Sequence, residues 1–291
     1  MSLETAFTVG VDGGGTHCRA TLFDANGTPL SHAISGSANI ARDFPTAQKS
    51  IVNAVIEVLA QHGHAEPEAL KQTNVFAGLA GARVDNAQQQ LALWQHPFAS
   101  FNAVSDLHAA AVGAHDGQNG ALLIVGTGSS AAALVDGHSV QYGGHGFLLG
   151  DTGSGAWMGL QAVRKTLKAL DGVANDAEST FTLPILSRIE LDSTDAIVSV
   201  MINQNPAYFA QLAPLVVTLA KSNEATALSV VKEAAEYLSA IALRAINESR
   251  GGLCLMGGLS HSIKPWLHNE VQAAIVEPIY GPEWGAVLAG K

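Results

Sequence analysis

The sequence predicts an α/β protein of two domains, each a mixed β-sheet with flanking helices. Three observations carry this. The chain has 291 residues, more than the roughly 100–200 of one typical domain. A strand, a glycine turn, a return strand and a polar turn occur at the start of the chain and again from Ala121, as an internal duplication would give. Between and after these repeats, helical periodicity alternates with short buried strands.

The first repeat opens with alternation, because Phe7, Val9 and Val11 share one face of a strand. Asp12-Gly13-Gly14-Gly15-Thr16 makes the glycine turn, Cys18, Ala20 and Leu22 resume a strand, and Asn26-Gly27 turns again. Pro45 opens an amphipathic helix with Ile51, Val55, Val58 and Leu59 on one stripe, and Gly63 closes it. A buried strand is expected at 74–79, a helix near 86–95 and a short strand near 101–104. Ser105-Asp106 then starts an Ala-rich helix that ends near Gly117. In the second repeat, residues 121–125 form a strand, Gly126-Thr127-Gly128-Ser129 the turn, and 131–135 the return strand before Asp136-Gly137. The rest is mainly helical, with long helices expected at 207–222 and 224–249, a strand at 253–256 and a closing helix at 283–289. The polar, glycine-rich joint at 116–120 divides the chain into domains 1–116 and 117–291, with the last helix free to pack back onto the first.

Composition narrows the function. Hydrophobic residues make up 47% and charged residues 14%, which is enough apolar material for two cores and argues against disorder. The formal net charge of −10 disfavours a nucleic-acid groove and suits a cationic substrate. Cys18 and Cys254 both sit in apolar strand runs, and two isolated thiols cannot build a zinc site or hold an iron–sulfur cluster alone. They read as buried, reduced thiols of a cytoplasmic protein. No signal peptide and no apolar stretch of the ~18 residues needed to span a membrane is evident.

The glycine turns carry the chemistry. A P-loop needs a Lys-Ser/Thr pair after its glycines, and a dinucleotide fingerprint needs its glycines to open a helix. Neither pattern is present, since Gly13–Gly15 open a return strand. A glycine-rich hairpin still lets backbone N–H groups approach phosphate closely, with hydroxyls such as Thr16 and Ser129 as added donors. Two such hairpins facing each other could hold a polyphosphate. Asp12, next to the first turn, would repel phosphate unless Mg2+ lay between them, so it implies that ion.

In this setting Val9-Gly10-Val11-Asp12-Gly13-Gly14-Gly15-Thr16 resembles the first phosphate motif of the actin-like ATPase/sugar kinase superfamily, whose fold is ribonuclease H-like. Ile124-Val125-Gly126-Thr127-Gly128-Ser129 resembles its second phosphate motif, and Leu255-Met256-Gly257-Gly258 its adenosine motif. The three occur in order, and the likeness spans nearly the whole chain. Within the superfamily the chain resembles the BadF/BadG/BcrA/BcrD-type branch, which also holds the amino-sugar kinases. Gly36-Ser37-Ala38-Asn39-Ile40 and His96-Pro97-Phe98-Ala99-Ser100 add to this likeness.

The resemblance implies phosphate binding by Gly13, Gly14, Gly15, Thr16, Gly126, Thr127, Gly128 and Ser129, and adenosine binding by Gly257 and Gly258. It implies ATP as co-substrate, with Asp12 holding Mg2+ through water. It makes Asp106 the base that accepts the proton of the sugar's 6-hydroxyl; the plain alternative for Asp106 is a helix cap. Tyr142–Asp151 matches the sugar-binding loop, so Gly144, His145 and Asp151 are expected to line the sugar with Asn39 and Ser130. For Asp151 the plain alternative is a helix-start residue, and for Asn39 a left-handed turn residue. N-acetylglucosamine kinases carry a large aromatic in place of His145 and an amide in place of Ser130. A free amine at C2 fits these departures at least as well as an N-acetyl group, so glucosamine is the expected substrate and N-acetylglucosamine the alternative.

Other readings are weaker on the residues. A reductase-activating ATPase would place cysteines at a subunit interface, whereas these lie in strands. A sugar-sensing repressor would carry a helix-turn-helix, and the chain begins at the first phosphate strand. A pseudo-kinase would lack Asp12, Asp106 or a glycine turn. His62 and His64 read as a solvated helix end, and the four tryptophans as packing residues. A homodimer is left open, since no segment carries a distinct interface signature.

Overall fold

The computed structural model describes residues 7–174 and 180–291. In chain order it forms β1 (Phe7–Gly13), β2 (Cys18–Phe23), β3 (Pro29–Ser35), α1 (Phe44–Gln61), α2 (Pro67–Leu70), β4 (Thr73–Leu79), α3 (Asp85–Ala92), β5 (Ser100–Ser105) and α4 (Asp106–Ala114). There follow β6 (Gly120–Val125), β7 (Ser129–Val135), β8 (His138–Gly143), α5 (Gly155–Leu170), α6 (Thr182–Ile189), α7 (Thr194–Met201), α8 (Pro206–Ala210), α9 (Ala213–Lys221) and α10 (Ala225–Ser249). The last elements are β9 (Leu253–Met256), α11 (Ser260–Ile263), a 3-10 turn, α12 (Asn269–Ala273), β10 (Ile275–Val276) and α13 (Pro282–Gly290). No helix among the described residues is long and apolar enough to cross a membrane.

The residues fall into two compact units. One holds the described residues of Met1–Gly120 together with Leu134–Ser139 and Glu277–Lys291; the other holds Ala121–Ala133 and the described residues of Val140–Val276. The first sheet has the order β3-β2-β1-β4-β5. Its β1 runs antiparallel to β2 and parallel to β4, and β4 is parallel to β5. The second sheet has the order β10-β9-β6-β7-β8, with β6 parallel to β9 and β9 parallel to β10. Read from its other edge, the second sheet repeats the order of the first. The duplication visible in the turns is therefore a duplication of topology.

The first core forms as the alternation requires. Val9, Val11, Val75, Ala77 and Leu79 are buried against Ile51, Val55, Val58 and Leu59 of α1. Asp43 caps α1 by accepting from the Thr46 N–H, which fixes where the chain turns from sheet to helix. The opposite face is closed by the end of the chain. There α13 packs on α4, β1 and β4, and Trp284 sits in a cluster with Phe23, Phe76, Ala109 and Val287. In the second unit, α5, α7 and α8 share a core of Ala156, Val163, Ile197, Met201 and Phe209. Cys18 and Cys254 are both buried and neither is in a disulfide, and burial pushes the Cys18 thiol up to about 12.

The helix expected at 207–222 is two helices. Asn205 caps α8 by accepting from the Tyr208 N–H, and Pro214 stands at the start of α9. Proline lacks the N–H of a helix interior but fits a first turn, so the chain restarts at Ala213 rather than continuing.

Candidate active site

The first turn is built by its sheet neighbours. Asp12 is the next-to-last residue of β1, paired with Arg19 on β2 and Gly78 on β4. The Gly14 N–H donates to the His17 carbonyl at 2.9 Å, while Ala80 and Ala38 donate to the carbonyls of Gly13 and Gly14 at 2.8 and 2.9 Å. Three backbone bonds thus fasten the turn, and one glycine N–H expected for phosphate is spent inside the hairpin. Gly15 is open: a side chain there would meet nothing within 4 Å.

Asn39 lies in the loop strapped to the end of β4 by the Ile40 N–H to the Ala80 carbonyl, 3.0 Å. Its Oδ1 accepts from the N–H groups of Ala41 and Arg42 at 3.1 and 3.0 Å. The residue is an Asx turn and not the left-handed alternative. Its Nδ2 has no partner among the described residues.

Asp106 stands where β5 ends and α4 begins. Ser105 is the cap, its Oγ accepting from the His108 N–H at 3.2 Å. Asp106 is thereby relieved of capping, and its Oδ1 is steadied by the Leu107 N–H at 2.8 Å. Gly78 makes this placement fit, because a Cβ there would come within 2.5 Å of the Ala109 Cβ and 3.4 Å of the Asp106 Cα. In the sequence Gly78 stands outside every motif. An isolated glycine inside a buried strand is itself a signal of close backbone approach.

The electrostatics of this corner are acidic. Burial pushes Asp12 up to about 6, the Glu283 carboxylate adds to this, the Arg19 guanidinium opposes it and Asp106 adds a smaller push. Arg19 Nη1 stands 3.7 Å from Asp12 Oδ2. Burial also raises Asp106, against the Leu107 N–H. A hard cation would favour the charged form of Asp12, so its carboxylate fits such an ion. Among the described residues no group of three or more His, Cys, Asp or Glu could hold a metal ion alone.

The second turn is held by a helix start. The Gly126 N–H donates to the Gly128 carbonyl at 2.9 Å. The carbonyls of Gly126 and Thr127 accept from Gly155 and Ala156, the first residues of α5, at 2.8 and 3.2 Å. Ser129 Oγ donates to the Thr152 carbonyl at 2.9 Å, so this hydroxyl supports the turn. The Thr127 hydroxyl is exposed and without a partner among the described residues.

Asp151 meets this turn from the loop that follows β8. Its Oδ1 accepts from the Gly146 N–H at 3.1 Å, and a Cβ on Gly128 would lie 2.8 Å from its Oδ2. Ser154 caps α5 by accepting from the Trp157 N–H, so Asp151 is not the helix cap. Burial raises the Asp151 carboxyl, against the Gly146 N–H and His145. Ser130 faces Gly144, where an added Cβ would be 2.9 Å from the serine Cβ. His145 packs on Gly150, its Cβ 2.9 Å from the position a Cβ would take there. Gln141, also missed in the sequence, donates from Nε2 to the Gly143 carbonyl at 3.0 Å.

The third motif follows β9. Gly257 has φ +97°, and a Cβ there would strike the Val125 carbonyl. The Leu259 N–H donates to that carbonyl at 3.0 Å, and Gly258 N is 4.0 Å from a Cβ built on Gly126. Each unit thus gathers its own set. Asp12, Gly13, Gly14, Gly15, Thr16, Asn39 and Asp106 come from the first; Gly126, Thr127, Gly128, Ser129, Ser130, Gly144, His145, Asp151, Gly257 and Gly258 come from the second.

Two sheets of one order, each with a glycine turn after its central strand, are the actin-like sugar-kinase fold. A ROK family glucokinase from Streptomyces griseus, solved with glucose and AMPPNP, has this fold with a TM-score of 0.51 at 16% identity, over 98% of each chain. The chain belongs to the BadF/BadG/BcrA/BcrD ATPase family, which it matches over residues 9–290. It is similar to the glucosamine kinase GspK of Vibrio cholerae serotype O1, at 33% identity over 286 residues, covering 98% of this chain and 96% of that one. It is also similar to the crystal structure of a candidate N-acetylglucosamine kinase from Chromobacterium violaceum, with a TM-score of 0.90 and 30% identity over 98% and 99% of the two chains.

Proposed function

We propose that the chain is an ATP-dependent amino-sugar kinase that phosphorylates the 6-hydroxyl of glucosamine, with Asp106 as general base. The observation that carries the reading is the place of Asp106: a half-buried carboxylate, raised above its ordinary value by burial, at a helix start already capped by Ser105. A carboxylate raised in this direction is a stronger base, which suits proton abstraction from an alcohol. The Vibrio cholerae relative supports glucosamine as the sugar.

In the proposed step the sugar's O6 forms a bond to the γ-phosphorus. The bond from that phosphorus to the bridging oxygen breaks, ADP leaves, and the O6 proton passes to Asp106. Mg2+, when bound, would offset phosphate charge. Asp12 would hold it through water, the open backbone at Gly15 and the exposed Thr127 would approach phosphate, and Asp151, Asn39 and His145 would orient the sugar. A second reading, N-acetylglucosamine as substrate, is favoured by the description of the Chromobacterium violaceum relative.

The test is an ADP-release assay with ATP and Mg2+, comparing glucosamine, N-acetylglucosamine and glucose, with Asp106→Asn alongside. Turnover is expected to be fastest on glucosamine, and Asp106→Asn should lower kcat at least about 100-fold with the thermal midpoint retained. Preference for N-acetylglucosamine selects the second reading. Persistent activity in Asp106→Asn removes the base role, and no turnover on any of the sugars removes the kinase.

A further inference from the structure

One side chain beside the sugar loop has a polar group that neither the motifs nor the proposed chemistry uses. Tyr237 projects from α10, and its hydroxyl lies against Gly143, 2.9 Å from the position a Cβ would occupy there. Gly143 and Gly144 are both left-handed, each with φ +69°, and this bend admits the phenol at the base of the loop. The hydroxyl makes no hydrogen bond to another described residue, and because the residue is only half-buried the group is open to a ligand. Tyr237 also senses the charge of Asp151: burial, and then that carboxylate, raise its phenol above the ordinary value. The Asp151 Oδ1 already takes the Gly146 N–H at 3.1 Å.

We propose that Tyr237 is a substrate-contacting, specificity-determining residue, whose hydroxyl joins Asp151 in receiving the ammonium group of an amino-sugar. The inference rests on the amino-sugar kinase reading and deepens it. An ammonium has three donors and needs several acceptors around it. The carboxylate of Asp151 supplies the charge, and the phenol oxygen of Tyr237 supplies a neutral acceptor on the side of Gly143. A sugar with a hydroxyl at that carbon needs neither the charge nor the second acceptor. Discrimination of this kind arises because a site built for a polar group leaves unpaired atoms when that group is missing.

The experiment uses the full chain and Tyr237→Phe, which removes one oxygen and keeps the ring. Steady-state kinetics are measured on glucosamine and glucose, with glucosamine binding followed by calorimetry and folding by thermal midpoint. The expected result is a rise of about tenfold in KM and Kd for glucosamine, little change in kcat, and glucose kcat/KM held within about twofold. An equal loss on both sugars assigns Tyr237 a structural role and overturns the proposal, as does unchanged glucosamine kinetics. Failure of the wild-type chain to turn over any sugar sinks the kinase reading itself. That outcome is separate, because it appears before the variant is compared.

Discussion

The two glycine turns follow the central strands of two sheets with one strand order, yet they are held in different ways. The first is tied to its neighbours in the sheet, through the N–H groups of Ala80 and Ala38, and it sits among carboxylates. The second is tied to the first residues of α5 and backed by Gly257 against Val125. Duplication thus conserved the path of the chain while the means of support diverged. In the first unit the distinguishing property is charge, carried by Asp12 and Asp106. In the second it is backbone fit, carried by glycines and a helix start.

The largest effect tests the backbone side of this contrast. Gly257→Ala places a methyl against the Val125 carbonyl at a positive φ. We expect a loss of about 3 kcal/mol in unfolding free energy by chemical denaturation. A loss below about 1 kcal/mol would show that the second turn does not depend on this contact.

The charge side predicts a smaller change of opposite sign. Asp12 is raised from 3.8 to about 6 in the folded protein. Below the lower value the acid is protonated in both states, and the folded state bears no penalty. As pH rises from the lower to the higher value, the unfolded chain ionises first, so the wild type loses stability, and above the higher value the loss is constant. Asp12→Asn should therefore stabilise the apo protein by about 2 kcal/mol at pH 7 and by nothing near pH 3. Urea midpoints at the two pH values measure this; a gain that is the same at both would place its origin outside ionisation.

The smallest stability effect sharpens the comparison. Gly15 has an ordinary φ and open space around it. Gly15→Ala should change unfolding free energy by under about 0.5 kcal/mol while raising the KM for ATP about tenfold. A destabilised protein with unchanged KM would make this glycine structural.

Much of this is legible in the sequence alone. The hairpins announced themselves through alternation and glycine turns, and α1 through its stripe of Ile51, Val55, Val58 and Leu59, because burial on one face leaves a periodic trace. What escaped had no periodic trace. β10 spans only Ile275–Val276, too short to alternate. The break between α8 and α9 lay within a run whose apolar spacing hid a proline restart. Asp106 opens a helix and Asp151 lies just ahead of one, and only geometry shows that Ser105 and Ser154 do the capping. Gly78 and Tyr237 pack against neighbours distant in sequence, which local pattern cannot reveal.

The packing of α13 on the first sheet has a consequence for synthesis. Phe23, Phe76 and Ala109 are made early, but Trp284 and Val287, which cover them, come from the last helix described. At roughly 5–20 residues per second, that apolar face waits on the order of ten seconds or more on the ribosome for its cover. The second unit has all of its strands translated before α13 emerges. The half of the protein that begins first is thus the half whose core is completed last, and a nascent chain carries an open hydrophobic face for most of its elongation.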